Sequence, residues 1–250
     1  MEQPVIHFIG AGPGAADLIT LRAARLISSC PVCLYAGSLV GREVLSHCPD
    51  DARLIDTQSL DLDEIVAEMA AADGRGEDVA RLHSGDVSIF SAAAEQMRRL
   101  DALGIAWDVT PGVPAFAAAA AALRRELTIP AVAQTVILTR YGRRSSPMPP
   151  GEELGSLAAH GATLVVHLGA GAVDEIARTL LAHYGPGCPA AVVARASWDD
   201  ELVLRAPLGE LAAAVARAGV RRTATILVGP ALAASGFQDS HLYSPRRERA

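Results

Sequence analysis

Residues 5–20 read VIHFIGAGPGAADLIT, and this stretch decides the fold. The apolar run at 5–9 predicts a buried strand, and the glycine-rich run at 10–14 predicts a tight turn. The amphipathic run at 18–28 predicts a helix with Asp17 as its N-cap. A strand, a turn and a helix in this order begin a βαβ unit, so the stretch favours a parallel sheet covered by helices.

The rest of the first half repeats this alternation. Further strands are predicted at residues 32–35, 53–55, 79–82 and 106–110, with helices at 62–72 and 92–103. Five strands of this length are enough for one sheet.

Residues 111–114, PGVP, interrupt the pattern before an alanine-rich helix predicted at 115–125. We place a domain boundary here, which gives an N-terminal α/β domain at 1–112, a C-terminal α/β domain at 113–235 and a polar tail at 236–250. The C-terminal domain has strands predicted at 135–139, 163–168, 190–194, 202–204 and 225–228, helices near 172–183 and 208–218, and a long mobile loop at 142–151.

Composition agrees with the α/β class. Half of the 250 residues are hydrophobic (50%) but only 4% are aromatic, so an aliphatic core of helices packed on sheets is expected. The net charge of -6 argues against a nucleic-acid partner. No apolar run approaches the roughly 20 residues that cross a bilayer, and no basic region followed by an apolar stretch begins the chain. We therefore expect a cytoplasmic protein without a membrane partner.

An anionic small molecule would need a local arginine cluster. The candidate clusters are Arg124 with Arg125, Arg140 with Arg143 and Arg144, and Arg221 with Arg222.

Two of the four cysteines, Cys30 and Cys33, have the spacing of a redox dithiol. They follow a predicted helix instead of beginning one, so no helix dipole would stabilise a thiolate. We interpret them as two small, semi-buried thiols.

The first glycine loop resembles a dinucleotide fingerprint only in part. Gly10 and Gly12 fit the pattern, but its third glycine would stand at Ala15. The second strand also ends at residues 35–38, YAGS, without the carboxylate that holds a ribose. A nicotinamide-dependent dehydrogenase is therefore disfavoured.

Two more loops follow predicted strands. Residues 83–90, HSGDVSIF, and residues 111–115, PGVPA, lie at the strand ends where α/β proteins bind ligands. Small residues there expose backbone groups that suit a nucleoside-like cofactor. Asp86 is either an acceptor for such a ligand or an ordinary helix cap.

These three loops, in this order, resemble those of the tetrapyrrole methylases, which bind S-adenosylmethionine and act in cobalamin and sirohaem synthesis. The matching stretches cover nearly the whole chain: residues 8–14 with 17–20, 84–86 with 88–90, 111–113, 163–169 and 225–229. Within the family, residues 35–40, YAGSLV, and 196–198, ASW, are most similar to the branch that methylates carbon 11 of precorrin-4.

The chain departs from the usual family pattern at two loops. Val87 stands where proline is frequent, which should relax a turn without removing a ligand contact. Ala15 and Ala16 stand where Asp-Pro is frequent, so one carboxylate is missing and a catalytic role for it cannot be universal in the family.

The resemblance implies two α/β domains of the tetrapyrrole methylase fold, with the cofactor in the cleft between them, and a homodimer. S-adenosylmethionine would be the methyl donor and S-adenosylhomocysteine its product. The implied cofactor contacts are Pro13, Ser84, Gly85, Asp86, Ile89, Phe90, Pro114, Ala115, Leu168, Ala196, Thr223 and Ala224. The tetrapyrrole would lie near the candidate catalytic residues Asp17, Tyr35 and Ser38, and Asp17 and Tyr35 are candidate proton acceptors.

No metal is expected, because a sulfonium is already an activated methyl donor and orientation can supply roughly 7–11 kcal/mol of the barrier. The seven histidines lack metal-ligand spacing, and His7 and His167 are interpreted as strand residues. The alternatives are a sibling methylase acting at another ring carbon, the related enzyme that methylates a diphthamide precursor, and a non-catalytic tetrapyrrole carrier.

Overall fold

A computed structural model describes residues 3–142 and 146–241. The chain forms two compact units. The first contains the residues up to Ala118 together with Ser197–Asp199, and the second contains Ala119–Ala196 and the residues from Asp200 onward. Each unit has its own five-stranded sheet, so the predicted α/β class is confirmed.

The first unit is built on a parallel sheet with the strand order β3-β2-β4-β1-β5. Its strands are β1 (Ile6–Gly10), β2 (Val32–Tyr35), β3 (Arg53–Asp56), β4 (Val79–His83) and β5 (Trp107–Thr110). In the register, Ile6 of β1 lies opposite Val79 of β4 and Trp107 of β5. The loops that follow these three strands therefore leave the sheet side by side.

Helices follow the strands of the first unit. They are α1 (Leu21–Ser29), α2 (Arg42–Leu45), α3 (Leu62–Asp73), α4 (Ala94–Leu103) and α5 (Ala115–Leu123), the last of which continues into the second unit. Alternate residues of β1 point to opposite faces, so Phe8 packs in a cluster with Met69 and Leu100, while Ile9 packs in a second cluster with Ile27. These two buried layers hold the strand ends in place.

Some predicted helix boundaries were wrong. Asp17 does not cap α1; it lies in a 3-10 turn, and the Thr20 hydroxyl accepts the Ala23 N–H at 3.1 Å as the N-cap. The helices predicted at 92–103 and 115–125 are each two residues shorter, because Ala92 (φ 54°) and Arg124 (φ 52°) adopt left-handed conformations. The short helix α2 was not predicted.

The second unit has a mixed sheet with the order β6-β7-β10-β8-β9. Its strands are β6 (Val136–Arg140), β7 (Thr163–His167), β8 (Pro189–Ala194), β9 (Leu202–Pro207) and β10 (Ala224–Val228), and its further helices are α6 (Leu154–Ala158), α7 (Val173–Tyr184) and α8 (Leu208–Ala218). Strand β10 is antiparallel to both neighbours, β7 and β8. The start of β10 therefore lies at the same sheet edge as the ends of β7 and β8.

Parts of two predicted segments lie outside the described residues. These are residues 143–145 of the loop predicted at 142–151 and residues 242–250 of the predicted tail. Within residues 3–142 and 146–241, no helix is both long and apolar enough to span a membrane.

The cysteine pair is more buried than predicted. Cys30 is the C-cap residue that follows α1 and Cys33 lies in β2, and both side chains are fully buried. Burial raises the pKa of Cys30 to about 12, and a hydrogen bond with Cys48, together with burial, raises the pKa of Cys33. A reactive dithiol needs a thiolate, so these two neutral thiols act as core residues.

Candidate active site

Three glycines meet where the central strands of the first sheet end. A Cβ atom built on Gly10 would lie 2.5 Å from the Gly112 nitrogen and 2.8 Å from the Gly85 oxygen, and a Cβ atom on Gly112 would collide with the same oxygen. No side chain fits at either position, so the backbones touch only because glycine stands there. We call this contact of Gly10, Gly85 and Gly112 the glycine junction.

Backbone hydrogen bonds tie the first two loops together beside the junction. Gly12 and Gly85 exchange two hydrogen bonds, with N···O distances of 3.1 and 2.7 Å, and their φ angles are 78° and 71°. The Ala11 N–H also donates to the His83 oxygen at 2.8 Å. The loop after β1 and the loop after β4 are therefore held against each other along several residues.

Asp86 joins the second loop to the third. Its Oδ2 atom accepts the Gly112 N–H at 2.8 Å, and its Oδ1 atom accepts the Ser88 N–H at 2.8 Å and the Ser88 hydroxyl. Burial raises the pKa of Asp86, but these hydrogen bonds outweigh burial and hold the pKa below its usual range. Asp86 is thus an ionised organiser of the loops, and it does not cap α4, which begins only at Ala94.

The third loop brings two more predicted cofactor residues to the junction. A Cβ atom on Gly85 would lie 3.5 Å from the Ala115 nitrogen and 3.7 Å from the Pro114 Cα, which is ordinary van der Waals contact. Pro13 is buried in the first loop, while Ser84 and Ile89 of the second loop are half-buried.

Phe90 differs from the other residues of the second loop in its exposure and its backbone conformation. Its side chain is 44% exposed although it is aromatic, and its φ angle is 50°. Non-glycine residues in this conformation cost roughly 1–2 kcal/mol. An exposed aromatic ring on strained backbone is typical of a ligand-binding loop.

The predicted catalytic residues lie at the same edge of the sheet but do not form a bonded group. Asp17 and Ser38 are exposed, and Tyr35 is half-buried at the end of β2. Among the described residues, no hydrogen bond joins these three side chains. The first loop and the turn that carries Ser38 are neighbours, because a Cβ atom on Gly41 would lie 3.3 Å from the Gly14 oxygen.

Sequence reasoning missed a buried arginine beneath this edge. Arg81 of β4 is only 5% exposed, and it donates from Nε to Gln96 at 3.0 Å and from Nη1 to Thr57 at 3.2 Å. The Thr57 hydroxyl in turn donates to the Tyr35 oxygen at 3.1 Å, and the Gln96 amide donates to the Ala92 oxygen at 3.0 Å. Arg81 therefore connects the end of β2 to the segment that follows the second loop.

The charge of Arg81 is retained despite its burial. Burial lowers its pKa to about 10, which still leaves the guanidinium protonated at neutral pH. Across the described residues, no ion pair joins Arg81 to a carboxylate. The sequence did contain a signal for Arg81, because it is a charged residue inside an otherwise buried strand. Arginine is rarely buried in this way unless it has a partner.

His83, two residues further along β4, was also missed. Its Nδ1 atom donates to the Ser91 oxygen at 3.1 Å, and its ring stacks on Phe8 with centroids 5.7 Å apart. Burial, assisted by the charge of Arg81, lowers the pKa of His83 to about 3. The imidazole is therefore neutral, and its Nε2 atom has no hydrogen-bond partner among the described residues.

We expect His83 to make the stability of the protein depend on pH. An unfolded chain binds this proton near pH 6.5, whereas the folded pKa is about 3, so the unfolded state holds more protons between these values. The free energy of unfolding therefore falls as the pH drops from about 6.5 towards 3, by up to about 1.4 kcal/mol per pH unit. His83→Asn keeps a donor for the Ser91 oxygen and should reduce this loss in urea unfolding at pH 7 and pH 5.

The matched control is His160→Asn, since His160 is an exposed histidine. Between pH 7 and pH 5, this control should lose as much free energy of unfolding as the wild-type protein does. If His83→Asn also shows the full wild-type difference, the buried imidazole is not its source.

The predicted cofactor residues of the second unit lie at one edge of its sheet. Leu168 follows β7, Ala196 follows β8, Thr223 precedes β10 and Ala224 begins it. The Arg195 N–H donates to the Thr223 oxygen at 2.8 Å, which extends the pairing of β8 with β10. The sheet order therefore brings together positions that are distant in sequence.

This edge carries strained backbone. Leu168 has a φ angle of 56°, Arg195 of 49° and Thr223 of 51°. A left-handed conformation is unfavourable for any of these residue types, and most of all for the β-branched Thr223. Leu168 is also 64% exposed. Strain of this kind persists where surrounding structure enforces it, and it concentrates at functional sites.

A cavity of about 720 Å³ opens beside Leu168. Ten of its thirteen lining residues are Gly, Ala, Val or Leu, and the volume is within the range of small-molecule sites. The other lining residues are Tyr141, Ala170, Gly171, Ala172, Val173, Asp174, Ala212, Val215, Ala216, Gly219, Val220 and Arg221.

The arginine clusters have different surroundings. Arg140 and Arg125 donate to backbone oxygens, at 2.8 Å and 3.4 Å respectively, whereas Arg221 lines the cavity. Arg124 and Arg222 are exposed, and the other two predicted members, Arg143 and Arg144, lie outside the described residues.

Metal ligands were not predicted from the sequence. In the part of the chain that the structure describes, no group of three or more His, Cys, Asp or Glu residues is arranged to hold a metal ion. His7 and His167 do lie in strands, β1 and β7, as their sequence positions predict.

Comparisons with known proteins show the family of the chain. Residues 5–212 match the family model of Tetrapyrrole (Corrin/Porphyrin) Methylases. The chain is 62% identical over 244 residues to a precorrin-4 C(11)-methyltransferase of Rhodococcus erythropolis, and the alignment covers 98% of both chains. A solved structure of a cobalt precorrin-4 methyltransferase is similar with a TM-score of 0.88 and 37% identity, over 91% of this chain and 95% of that one.

A third comparison concerns a ligand complex. The uroporphyrin-III C-methyltransferase of Thermus thermophilus, solved with S-adenosylhomocysteine, is similar with a TM-score of 0.76 and 29% identity, over 92% of this chain and 93% of that one. The family match spans both units, and the relative from Rhodococcus erythropolis aligns with nearly the full chain. On this ground the chain belongs to the tetrapyrrole methylases.

Proposed function

We propose that this protein transfers a methyl group from S-adenosylmethionine to carbon 11 of precorrin-4, which gives precorrin-5 in cobalamin biosynthesis. The observation that carries the proposal is the 62% identity, over 98% of both chains, to a precorrin-4 C(11)-methyltransferase. Mass spectrometry and NMR of the product test it. A methyl group at another ring carbon, or no transfer at all, would overturn it.

The first unit suits a nucleoside-like methyl donor. At the glycine junction, a side chain on Gly10 or Gly112 would collide with backbone, so the loops present their own N–H and C=O groups. When bound, S-adenosylmethionine supplies an activated methyl group on a sulfonium. Asp86 holds the loops together, and the proposed contacts there are Pro13, Ser84, Gly85, Asp86 itself, Ile89, Phe90, Pro114 and Ala115.

The remaining proposed contacts are Leu168, Ala196, Thr223 and Ala224 of the second unit. Their support is the strained backbone at Leu168 and Thr223 and the cavity that Leu168 lines. An exposed leucine and short alanine side chains suit the apolar surfaces of an adenosyl group.

The protein's own part in the reaction is orientation and proton transfer. Holding two reactants in an attack geometry supplies roughly 7–11 kcal/mol, which needs rigid loops more than reactive side chains. The glycine junction and the Asp86 hydrogen bonds provide that rigidity. Carbon 11 is an α-pyrrolic carbon without a hydrogen of its own, so the proton that balances the transfer leaves from elsewhere on the macrocycle. The proposed acceptors are Asp17, which is exposed, and Tyr35, which is half-buried at the same sheet edge.

Tyr35→Phe and Ser38→Ala test the placement of the substrate. We expect each variant to slow methyl transfer at least about tenfold in single-turnover assays, because general acid–base catalysis and positioning are lost. Affinity for S-adenosylhomocysteine should stay unchanged in calorimetry. Tyr184→Phe is the control, since its hydroxyl donates to the Ala162 oxygen within the second unit. If both test variants react at the wild-type rate, the substrate lies elsewhere.

A cobalt-containing substrate is the second candidate. It is favoured by the similarity to a cobalt precorrin-4 methyltransferase structure, at a TM-score of 0.88. Parallel assays with metal-free and cobalt-loaded precorrin-4 distinguish the two, and we expect the metal-free substrate to react with the higher kcat/KM.

We also infer a homodimer in the cytoplasm. Exposed apolar side chains such as Leu21, 81% exposed, and Leu54, 46% exposed, offer surface for a second copy. Light scattering on the purified protein gives the subunit count, and cell fractionation gives the location. A monomer or a membrane-bound fraction would contradict this inference.

A further inference from the structure

One short segment of the chain lies apart from its sequence neighbours. Ala119–Ala196 and the residues from Asp200 onward belong to the second unit, but Ser197–Asp199 belongs to the first. Strained backbone marks this departure, because Arg195 and Ser197 have φ angles of 49° and 68°. Two non-glycine residues in the left-handed region show that the surrounding contacts enforce this path.

The segment contacts three consecutive residues of the first glycine loop. The indole Nε1 of Trp198 donates to the Pro13 oxygen at 2.9 Å, and the Ser197 hydroxyl accepts the Ala15 N–H at 3.0 Å. Between them, a Cβ atom on Gly14 would collide with Cδ1 and Nε1 of Trp198. The indole ring therefore lies directly against the Gly14 backbone.

The two ends of this loop are held in different ways. Gly12 is fixed by its two backbone hydrogen bonds to Gly85, at the glycine junction. Residues 13–15 form no helix or strand, and Ala15 precedes the 3-10 turn at Ala16–Leu18 without a side-chain cap. The contacts from Ser197 and Trp198 therefore supply the long-range support of the second end.

We propose that Ser197 and Trp198 form a clamp that positions residues 13–15 for the tetrapyrrole substrate. The clamped end of the loop leads into Asp17 and lies against the turn that carries Ser38, since a Cβ atom on Gly41 would be 3.3 Å from the Gly14 oxygen. Asp17 and Ser38 both belong to the proposed substrate site, so this inference rests on the proposed function. Trp198 is a positioning residue and takes no part in the chemistry.

The test compares KM for the precorrin, kcat and affinity for S-adenosylhomocysteine in Trp198 variants. Trp198→Ala should raise KM about tenfold and weaken the affinity for S-adenosylhomocysteine less than that, because Pro13 is the one proposed cofactor contact in the clamped segment and the junction is intact. Trp198→Phe keeps an aromatic ring without the N–H donor and should recover part of the loss. Trp107→Phe is the matched control, because the other tryptophan donates to Asp101 at 2.8 Å on a different element.

Gly14→Ala gives an independent test without changing the clamp residues. The new Cβ atom would collide with the indole, so Gly14→Ala alone should also raise KM. In the double variant with Trp198→Ala the indole is absent, so KM should be no higher than in Trp198→Ala. If Trp198→Ala lowers the Tm but leaves KM unchanged, or if the two substitutions are additive, the clamp proposal is overturned. If the wild-type protein itself methylates no precorrin, the proposed function fails instead.

Discussion

Gly10→Ala is expected to abolish binding of S-adenosylhomocysteine and to destabilise the first unit. The new Cβ atom would lie 2.5 Å from the Gly112 nitrogen, 2.7 Å from its Cα and 2.8 Å from the Gly85 oxygen. All three are backbone atoms, so no flexible side chain can move aside. Overpacking of this kind costs about 1–3 kcal/mol or more. Separation of the three loops would remove the proposed cofactor surface.

Gly74→Ala is the matched control for this experiment. Gly74 ends α3 with ordinary helical angles, and its Cβ atom would meet its nearest neighbour at 3.5 Å. Alanine at position 74 should leave the free energy of unfolding unchanged or raise it by up to about 1 kcal/mol. Calorimetry with S-adenosylhomocysteine and denaturant unfolding measure both effects. Unchanged binding by folded Gly10→Ala would show that the junction does not form the cofactor site.

Asp86→Asn is expected to weaken S-adenosylhomocysteine binding by at least about fivefold. Asparagine keeps the size of the side chain but has only one acceptor oxygen, so it cannot accept from both Gly112 and Ser88. A backbone N–H left without its partner costs about 1–3 kcal/mol, which corresponds to about 5- to 150-fold in affinity. The second and third loops would then lose the bond that fixes their relative position.

The control for Asp86→Asn is Asp50→Asn, which changes an exposed aspartate in a turn by the same chemistry. It should leave binding and unfolding unchanged. Asp86→Ala removes both acceptors and should weaken binding further than Asp86→Asn. Wild-type affinity in the two Asp86 variants would exclude Asp86 from both roles, direct contact and loop positioning.

Much of this site could be predicted because local chemistry determines it. Gly10, Gly12 and Gly85 are visible in the sequence as glycines after strands, and the loop positions follow from the alternation of strands and helices. The pairing of loops could not be predicted in the same way. Gly112 meets Gly10 only because β1 lies between β4 and β5, and the strand order depends on packing between distant residues.

Side-chain roles were harder to predict than positions. Asp17 and Thr20 are both residue types that are favoured as N-caps. Leu18 also fits the apolar spacing of the following helix, so the sequence pattern alone did not show which of the two residues caps it. Asp86 accepts a hydrogen bond from a residue 26 positions away, and Arg81 donates to side chains on other elements. Tertiary structure sets these contacts between residues that are distant in sequence, and the residue spacing within one strand cannot predict them.

The return of Ser197–Asp199 to the first unit also determines when that unit is complete during synthesis. Its five strands have all left the ribosome soon after Thr110 is made, so the sheet can assemble early. The partner of its first loop is made only after most of the second unit. A fragment that stops at Ala118 would therefore carry the whole parallel sheet and still lack the residues that bond to its first loop.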